Sequence, residues 1–387
     1  MSTKRKIWIF AGESSGDMYG AQLGEEMRRI AAARGEELEL SGMGGKAMIA
    51  AGIPVKVDST ELGVMGVVEV VKLLFKFIAI YFKLVKAARR ERPDSVVLID
   101  YPGFNLMFAL AMYFSKIKVV WYIAPHLWIW GKWRLPVLAK ICTKVLVIFP
   151  FEVEVFGKTK LQATFTGHPL IDMLEAKKDP SIKRDPDLVL LLPGSRKGEI
   201  SRMLNEILGS VAELKRRYPQ LRFRLPAPRE KIANQCKELI AKFRKKTPDL
   251  PEIEISVGDT NACQQLAGTG IAACGTVTVE CAIMGLPLVV GYRLSFINYL
   301  AALPYVRLFR GFITMTNIID NSPVCPEFIQ YDFKTANIIP AVESILPGGP
   351  RRESCLEGME RVTRMLSEGN NGRSAVSRAA EEIYAVR

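Results

Sequence analysis

At 387 residues, 49% hydrophobic and 24% charged, the chain is long enough for two or three domains and too apolar for disorder. Its net charge of +13 asks for an anionic partner, whether nucleic acid, anionic membrane surface or phosphorylated substrate. No RNA- or DNA-binding motif supports the first of these, so no nucleic acid is expected, and no run of ~20 apolar residues supports a transmembrane span.

The opening MSTKRKIWIFAGESSGD has only a short apolar run, followed by turn formers in place of a signal cleavage site. Short apolar runs then alternate with longer helical periods, the mark of α/β units with parallel sheets. In the first half, strands are expected at Ile7–Phe10, Glu37–Ser41, Ser95–Ile99, Lys118–Tyr122 and Lys144–Ile148, with helices at 17–33, 66–90, 104–114 and 134–141. A second series gives strands at 188–192, 221–225, 253–257, 270–273 and 287–292, and helices near 198–217, 229–245, 260–267, 277–284 and 294–303. Two consecutive βαβ series predict two Rossmann-like domains, joined in the proline- and charge-rich stretch between Gly167 and Leu188. The expected divisions are 1–170, 171–350 and a helical tail, 351–387, packing back on the N-terminal domain.

The helix at 66–90 is apolar around much of its girth, yet Lys72, Lys76, Lys83 and Lys86 share one stripe. Two readings stand: an interfacial helix lying on anionic lipid, or a core helix with a solvated basic face. Seven scattered cysteines, at 142, 236, 263, 274, 281, 325 and 355, form no CxxC pair and read as buried residues of a reducing cytoplasm. The two histidines lie in no metal-ligand spacing, so neither a metal nor a cofactor is expected.

Two strand–glycine–helix junctions carry the chemistry. In LLPGSRKGEI, Gly194, Ser195 and Arg196 open a helix whose amides and arginine suit an anionic group; the alternative is an ordinary βα turn. In CGTVTVECAIMGLPLVVGYR, Gly275, Thr276 and Thr278 could hold a pyrophosphate, and Glu280 could accept from the two hydroxyls of a ribose. Neither loop is a P-loop or a GxGxxG turn, which weakens ATPase and dehydrogenase readings. A nucleotide diphosphate held by the second of two Rossmann domains is the arrangement of GT-B glycosyltransferases and sugar-nucleotide epimerases.

The segments AGESSGDMYGA, GMGGKAMIAAG, LGVMGVVEV, LIDYPGFNL, WYIAPHLWIW, FPFEVEVF and FTGHPLID, followed by the two junctions, resemble the lipid-A-disaccharide synthase family in order and spacing, from residue 7 to 335. The resemblance implies a GT-B fold of two Rossmann-like domains with parallel sheets facing a central cleft. It implies transfer of 2,3-diacylglucosamine from UDP-2,3-diacylglucosamine to 2,3-diacylglucosamine 1-phosphate (lipid X), giving a β-1,6-linked disaccharide and UDP. It also suggests a cytoplasmic enzyme on the anionic inner face of the inner membrane, and a homodimer through exchanged C-terminal domains. With this family in view, the basic helix at 66–90 reads as a membrane or acyl-chain element.

An inverting transfer needs a base, and Glu13, Asp17 and Asp100 are the candidates. Asp100 is favoured, with Glu13 next; a cap of the following segment is the structural alternative for Asp100. Gly103 stands where one common form of the family motif has a second aspartate, so that role would move to Asp100. Asp17 is expected to cap or charge the first turn of its own helix. Glu199 is expected to orient Arg196. The resemblance also places Asn317, Glu327 and Gln330 near the nucleotide sugar, although Thr316 replaces the usual proline. His126 either polarises the acceptor phosphate or packs among the aromatics of APHLWIW. A soluble-substrate UDP-sugar epimerase is the competing enzyme class, and a non-enzymatic peripheral membrane protein the third reading.

Overall fold

The computed structural model describes residues 4–59, 67–125, 134–295, 299, 311–369 and 371–386, with backbone alone for 67–76. The chain divides into two compact units, Met1–Pro169 with Leu366–Arg387, and Leu170–Met365.

The first unit is built on β1 (Lys4–Ala11), β2 (Glu37–Gly44), β3 (Val55–Asp58), β4 (Ser95–Ile99), β5 (Lys118–Tyr122), β6 (Lys144–Val147) and β7 (Gln162–Phe165). They form one parallel sheet in the order β3-β2-β1-β4-β5-β6-β7. Between them run α1 (Ser14–Arg34), α2 (Lys46–Ala50), α3 (Val67–Glu91), α4 (Pro102–Phe114), α5 (Leu135–Ile141) and α6 (Glu152–Gly157). The central strands are near-continuous apolar runs because helices cover both faces. Trp8, Phe10, Leu98 and Trp121 are fully buried in one cluster with Phe108 of α4 and Leu84 of α3.

The second unit repeats the plan. Its strands are β8 (Asp185–Leu192), β9 (Arg222–Ala227), β10 (Ile253–Val257), β11 (Ala267–Ala273), β12 (Leu288–Tyr292) and β13 (Glu327–Ile329). The order is β10-β9-β8-β11-β12-β13, again parallel throughout. Its helices are α7 (Pro169–Glu175), α8 (Lys197–Arg217), α9 (Glu230–Arg244), α10 (Thr260–Leu266), α11 (Thr276–Ile283), α12 (Met315–Asp320), α13 (Thr335–Ile345) and α14 (Arg352–Ser367). The helix expected near 294–303 falls almost wholly outside the described residues.

The tail does not behave as one piece. Arg352 donates to the carbonyls of Gly268 (3.0 Å) and Ile345 (2.8 Å), and Arg361 makes a bidentate pair with Asp320, so the start of α14 belongs to the second unit. Beyond Leu366 the chain joins the first: the amide of His168 donates to the carbonyl of Leu366 at 3.0 Å. The last helix, α15 (Ala375–Tyr384), lies on α1. There Arg5 donates to the carbonyl of Val386 at 2.8 Å, Arg378 to that of Phe165 at 2.9 Å, and Lys144 pairs with Glu382.

Asp17 meets one half of its expectation, charging the first turn of α1, and departs from the other. It does sit in the first turn of α1, but its carboxylate is buried and accepts the amides of Gly45 (2.6 Å), Ala47 (2.8 Å) and Met48 (3.2 Å). It therefore caps α2 rather than its own helix. The reason is packing: Gly20 and Gly24 let α1 approach Met48 and Ile53 closely, which brings the bare N-terminus of α2 onto the carboxylate.

Candidate active site

In each sheet the strand order reverses between its first and fourth strands, and that is where open α/β sheets bind ligands. In the second unit the loops after β8 and β11 meet at this point. They enclose a cavity of about 460 Å³ with the carboxyl end of β9, the start of α9 and the N-terminus of α10. Seven residues singled out from the sequence line it together: Gly194, Ser195, Arg196, Glu199, Gly275, Thr276 and Glu280.

The cavity has distinct ends. Arg196 is exposed at the N-cap of α8 with no side-chain cap bond of its own, beside the N-termini of α8 and α11. This end offers amides and one cation to an anion. Pro226, Pro228, Ile232 and Cys236 form an apolar wall, and Glu280, Thr260 and Asn261 supply polar groups. Glu280 is partly buried, and burial raises its carboxyl above the usual range, opposed by Gln264 and the charge of Lys177. Burial pushes the Cys274 thiol up to about 12 and that of Cys236 up to about 11, so neither puts a thiolate beside an anionic ligand.

The loop geometry depends on one glycine. Gly194 has φ +115°, and a Cβ there would lie 2.2 Å from Oε2 of Glu199. Glu199 accepts the Ser195 amide at 3.3 Å, so its carboxylate braces the loop from below. The expected orientation of Arg196 by Glu199 has no counterpart among the described side-chain bonds.

Four other expected residues lie outside this lining. Thr278 is fully buried and donates to the carbonyl of Gly275 at 2.8 Å, closing the first turn of α11. Glu327 accepts the amides of Ile313 (3.1 Å) and Thr314 (2.9 Å) and the Asn317 side chain (3.0 Å). Asn317 is fully buried and exchanges two bonds with the backbone of Cys325 (2.9 and 2.8 Å). Gln330, at φ +55°, accepts the Leu294 amide at 2.9 Å. These side chains hold the loops flanking β12 and β13. Three polar residues at or beside the cavity were missed: Thr260 and Asn261, for which the polar turn Asp259-Thr260-Asn261 was the only sequence signal, and Gln264, which had none.

At the corresponding edge of the first unit, the loops after β1 and β4 carry Glu13 and Asp100. Asp100 (φ +45°) and Tyr101 (φ +48°) are consecutive non-glycine residues in the left-handed region. Such residues cost about 1–3 kcal/mol each and persist where the surroundings enforce them. Asn105, fully buried, enforces them by donating to the carbonyls of Asp100 (2.7 Å) and Ile99 (3.3 Å). The Tyr101 ring then lies over Gly12, where any Cβ would approach it to 2.3 Å. Burial, and secondly the charge of Glu13, raises the Tyr101 phenol, so both carboxylate-bearing loops meet around this ring. Glu13 is exposed at the N-cap of α1.

Lys83 and Lys86 are exposed on α3, whereas the side chains of Lys72 and Lys76, and all of His126, lie outside the described residues. The exposed face also carries large apolar groups: Ile78 and Phe82 on α3, Met107, Leu110 and Phe114 on α4, and Val137 on α5.

Two doubly wound parallel sheets of the same strand order, with a nucleotide-sized cavity at the switch point of the second, define the GT-B class. The fold is similar to that of MnaA of S. aureus in its UDP co-structure (14% identity, TM-score 0.66, covering 98% of this chain and 96% of that one). It is similar too to UDP-GlcNAc 2-epimerase from Neisseria meningitidis bound to UDP-GlcNAc (13%, TM-score 0.62, 99% and 100%). Within that class the sequence is decisive. Residues 7–379 match the family model of lipid-A-disaccharide synthetase, and the chain belongs to that family. It is 33% identical to the lipid-A-disaccharide synthase of Koribacter versatilis, over 98% of each chain, and 32% identical to that of Geobacter sulfurreducens, over 95% of this chain and 94% of that one. The protein is a glycosyltransferase of lipid A disaccharide synthesis, with a UDP-sugar donor and a lipid acceptor.

Proposed function

We propose that the cavity of the second unit holds the UDP of UDP-2,3-diacylglucosamine, and that Asp100 of the first unit takes the proton from the 6-hydroxyl of lipid X. The hydroxyl oxygen attacks the anomeric carbon, the bond to the β-phosphate oxygen breaks, and UDP departs with inversion to the β-1,6 disaccharide. Arg196 and the helix amides neutralise the leaving diphosphate, and Glu280 accepts from the ribose hydroxyls. The observation that carries the reading is the placement of seven expected residues around one cavity at a sheet switch point. An epimerase would share the nucleotide site but has no use for a basic, apolar face such as that of α3.

Glu280 gives this reading a pH signature. Its carboxyl is raised by burial, so it gains a proton at a higher pH than an ordinary glutamate, near 4.3, and then loses acceptor capacity. UDP affinity therefore falls as pH drops, beginning above the ordinary glutamate range. In Glu280→Gln the share of the fall due to this carboxyl is absent and only that of the nucleotide's own phosphate, which gains a proton at about pH 6, remains; calorimetric titration of UDP across pH compares the two proteins.

The proposed site of action is an anionic membrane surface, engaged by the face made by α3, α4 and α5. Exposed Lys83 and Lys86 on α3, together with exposed Phe82 on α3 and Met107 and Phe114 on α4, suit a headgroup boundary, where the stems of long side chains lie among acyl chains. Among the described residues no helix is long and apolar enough to cross a membrane. Lys83→Glu with Lys86→Glu should weaken sedimentation with phosphatidylglycerol vesicles by about 1 kcal/mol per residue or more, and 0.5 M salt should weaken binding of the parent protein likewise. Retention of full binding by the double variant removes this face from the account. Homodimer formation is the remaining partner proposal, and sedimentation equilibrium reads it directly.

A further inference from the structure

The polar groups behind Glu280 form a directed chain. Lys177 Nζ donates to Asn261 Oδ1 at 3.3 Å, Asn261 Nδ2 donates to Gln264 Oε1 at 3.2 Å, and Gln264 Nε2 donates to Glu280 Oε2 at 3.2 Å. An ammonium has only donors and a carboxylate only acceptors, so the two ends fix the orientation of both amides between them. A flipped Asn261 or Gln264 would set donor against donor or acceptor against acceptor.

Gln264 is fully buried and lies outside the cavity lining, whereas Asn261 and Glu280 line it. The lysine end is exposed, but the backbone that carries it is tied down. Gln265 donates to the carbonyl of Asp179 at 2.6 Å and accepts its amide at 3.1 Å, which anchors the segment after α7 to α10. With Gln264 bonded to Oε2, the other carboxylate oxygen of Glu280 is left for a ligand.

We propose that Gln264, held by Asn261 and Lys177, is the positioning residue that fixes the Glu280 carboxylate for a ribose diol, and that this relay sets the preference of the cavity for ribonucleotides over 2′-deoxyribonucleotides. The proposal rests on the reading of Glu280 as the ribose acceptor. It goes further in assigning the discrimination to a residue that touches no nucleotide. A rigid acceptor rewards the 2′-hydroxyl; a carboxylate free to rotate accepts from water as readily and rewards it little.

The test is the affinity ratio of UDP to 2′-deoxy-UDP, measured by calorimetry on the full chain. A hydrogen bond to a charged acceptor predicts a ratio of about 10–100 for the parent protein. Glu280→Gln should bring the ratio near unity. Gln264→Leu should do the same while leaving the affinity for 2′-deoxy-UDP close to the parental value, which loss of structure would not. Asn261→Ala should lower the ratio partway, and it carries the test if the buried leucine prevents folding. If Glu280→Gln abolishes discrimination while Gln264→Leu and Asn261→Ala retain it, the relay is overturned and the ribose site stands. Equal weakening of both nucleotides by Gln264→Leu also overturns it. If the parent protein does not discriminate, the ribose reading of Glu280 fails, and the relay with it.

Discussion

If Asp100 is the base proposed above, Asp100→Asn should lower kcat by about 10²–10⁴-fold while leaving UDP affinity unchanged. The size follows from removing the group that accepts the acceptor proton while keeping the side-chain volume. Independence from UDP follows from the proposed roles: Asp100 acts on the acceptor hydroxyl, whereas the groups proposed for UDP line the cavity of the second unit. Backbone conformation favours Asp100 over Glu13. Two adjacent left-handed residues held by a buried asparagine are a costly arrangement, and they set the residue at the end of β4 in a conformation that a simple cap does not require. Glu13, by contrast, occupies an extended, unstrained N-cap position. Steady-state kinetics on both variants decides the matter. Survival of activity in Asp100→Asn, with its loss in Glu13→Gln, would transfer the role to Glu13.

Arg196→Ala should lower kcat/KM by about 10–150-fold, the value of one hydrogen bond to a charged group at 1.5–3 kcal/mol. The effect falls on kcat as well as KM, because charge on the diphosphate grows as the sugar departs. Arg196→Lys should recover only part of the loss, since an ammonium cannot offer the planar fork of the guanidinium to phosphate oxygens. Competitive inhibition by UDP reads the ground-state share, and the kcat of each variant reads the remainder. Parental kcat/KM in Arg196→Ala would leave the helix amides as the sole anion site.

The central strands were legible because sheets covered on both faces require unbroken apolar runs, as in Ser95–Ile99 and Leu188–Leu192. The strands missed were β3, β7 and β13. Val-Lys-Val-Asp, Gln-Ala-Thr-Phe and Glu-Phe-Ile lie at sheet edges, are only half-buried along most of their length, and need no such run. The glycine junctions at 194 and 275 were legible because a strand running straight into a helix leaves a local signature. Gln264 had none: its meaning comes from the placement of α10 beside α11, a tertiary contact that no spacing encodes. The helix that Asp17 caps was illegible for the same reason, since it begins 29 residues downstream, at Lys46.

The proposed reaction is read out by incubating the full chain with UDP-2,3-diacylglucosamine and lipid X and resolving the products by mass spectrometry and proton NMR. Disaccharide and UDP should appear in equal amounts, with a β anomeric coupling across the new 1,6 linkage and no turnover when lipid X is omitted. UDP released without disaccharide, or an epimerised UDP-sugar in its place, would contradict the account.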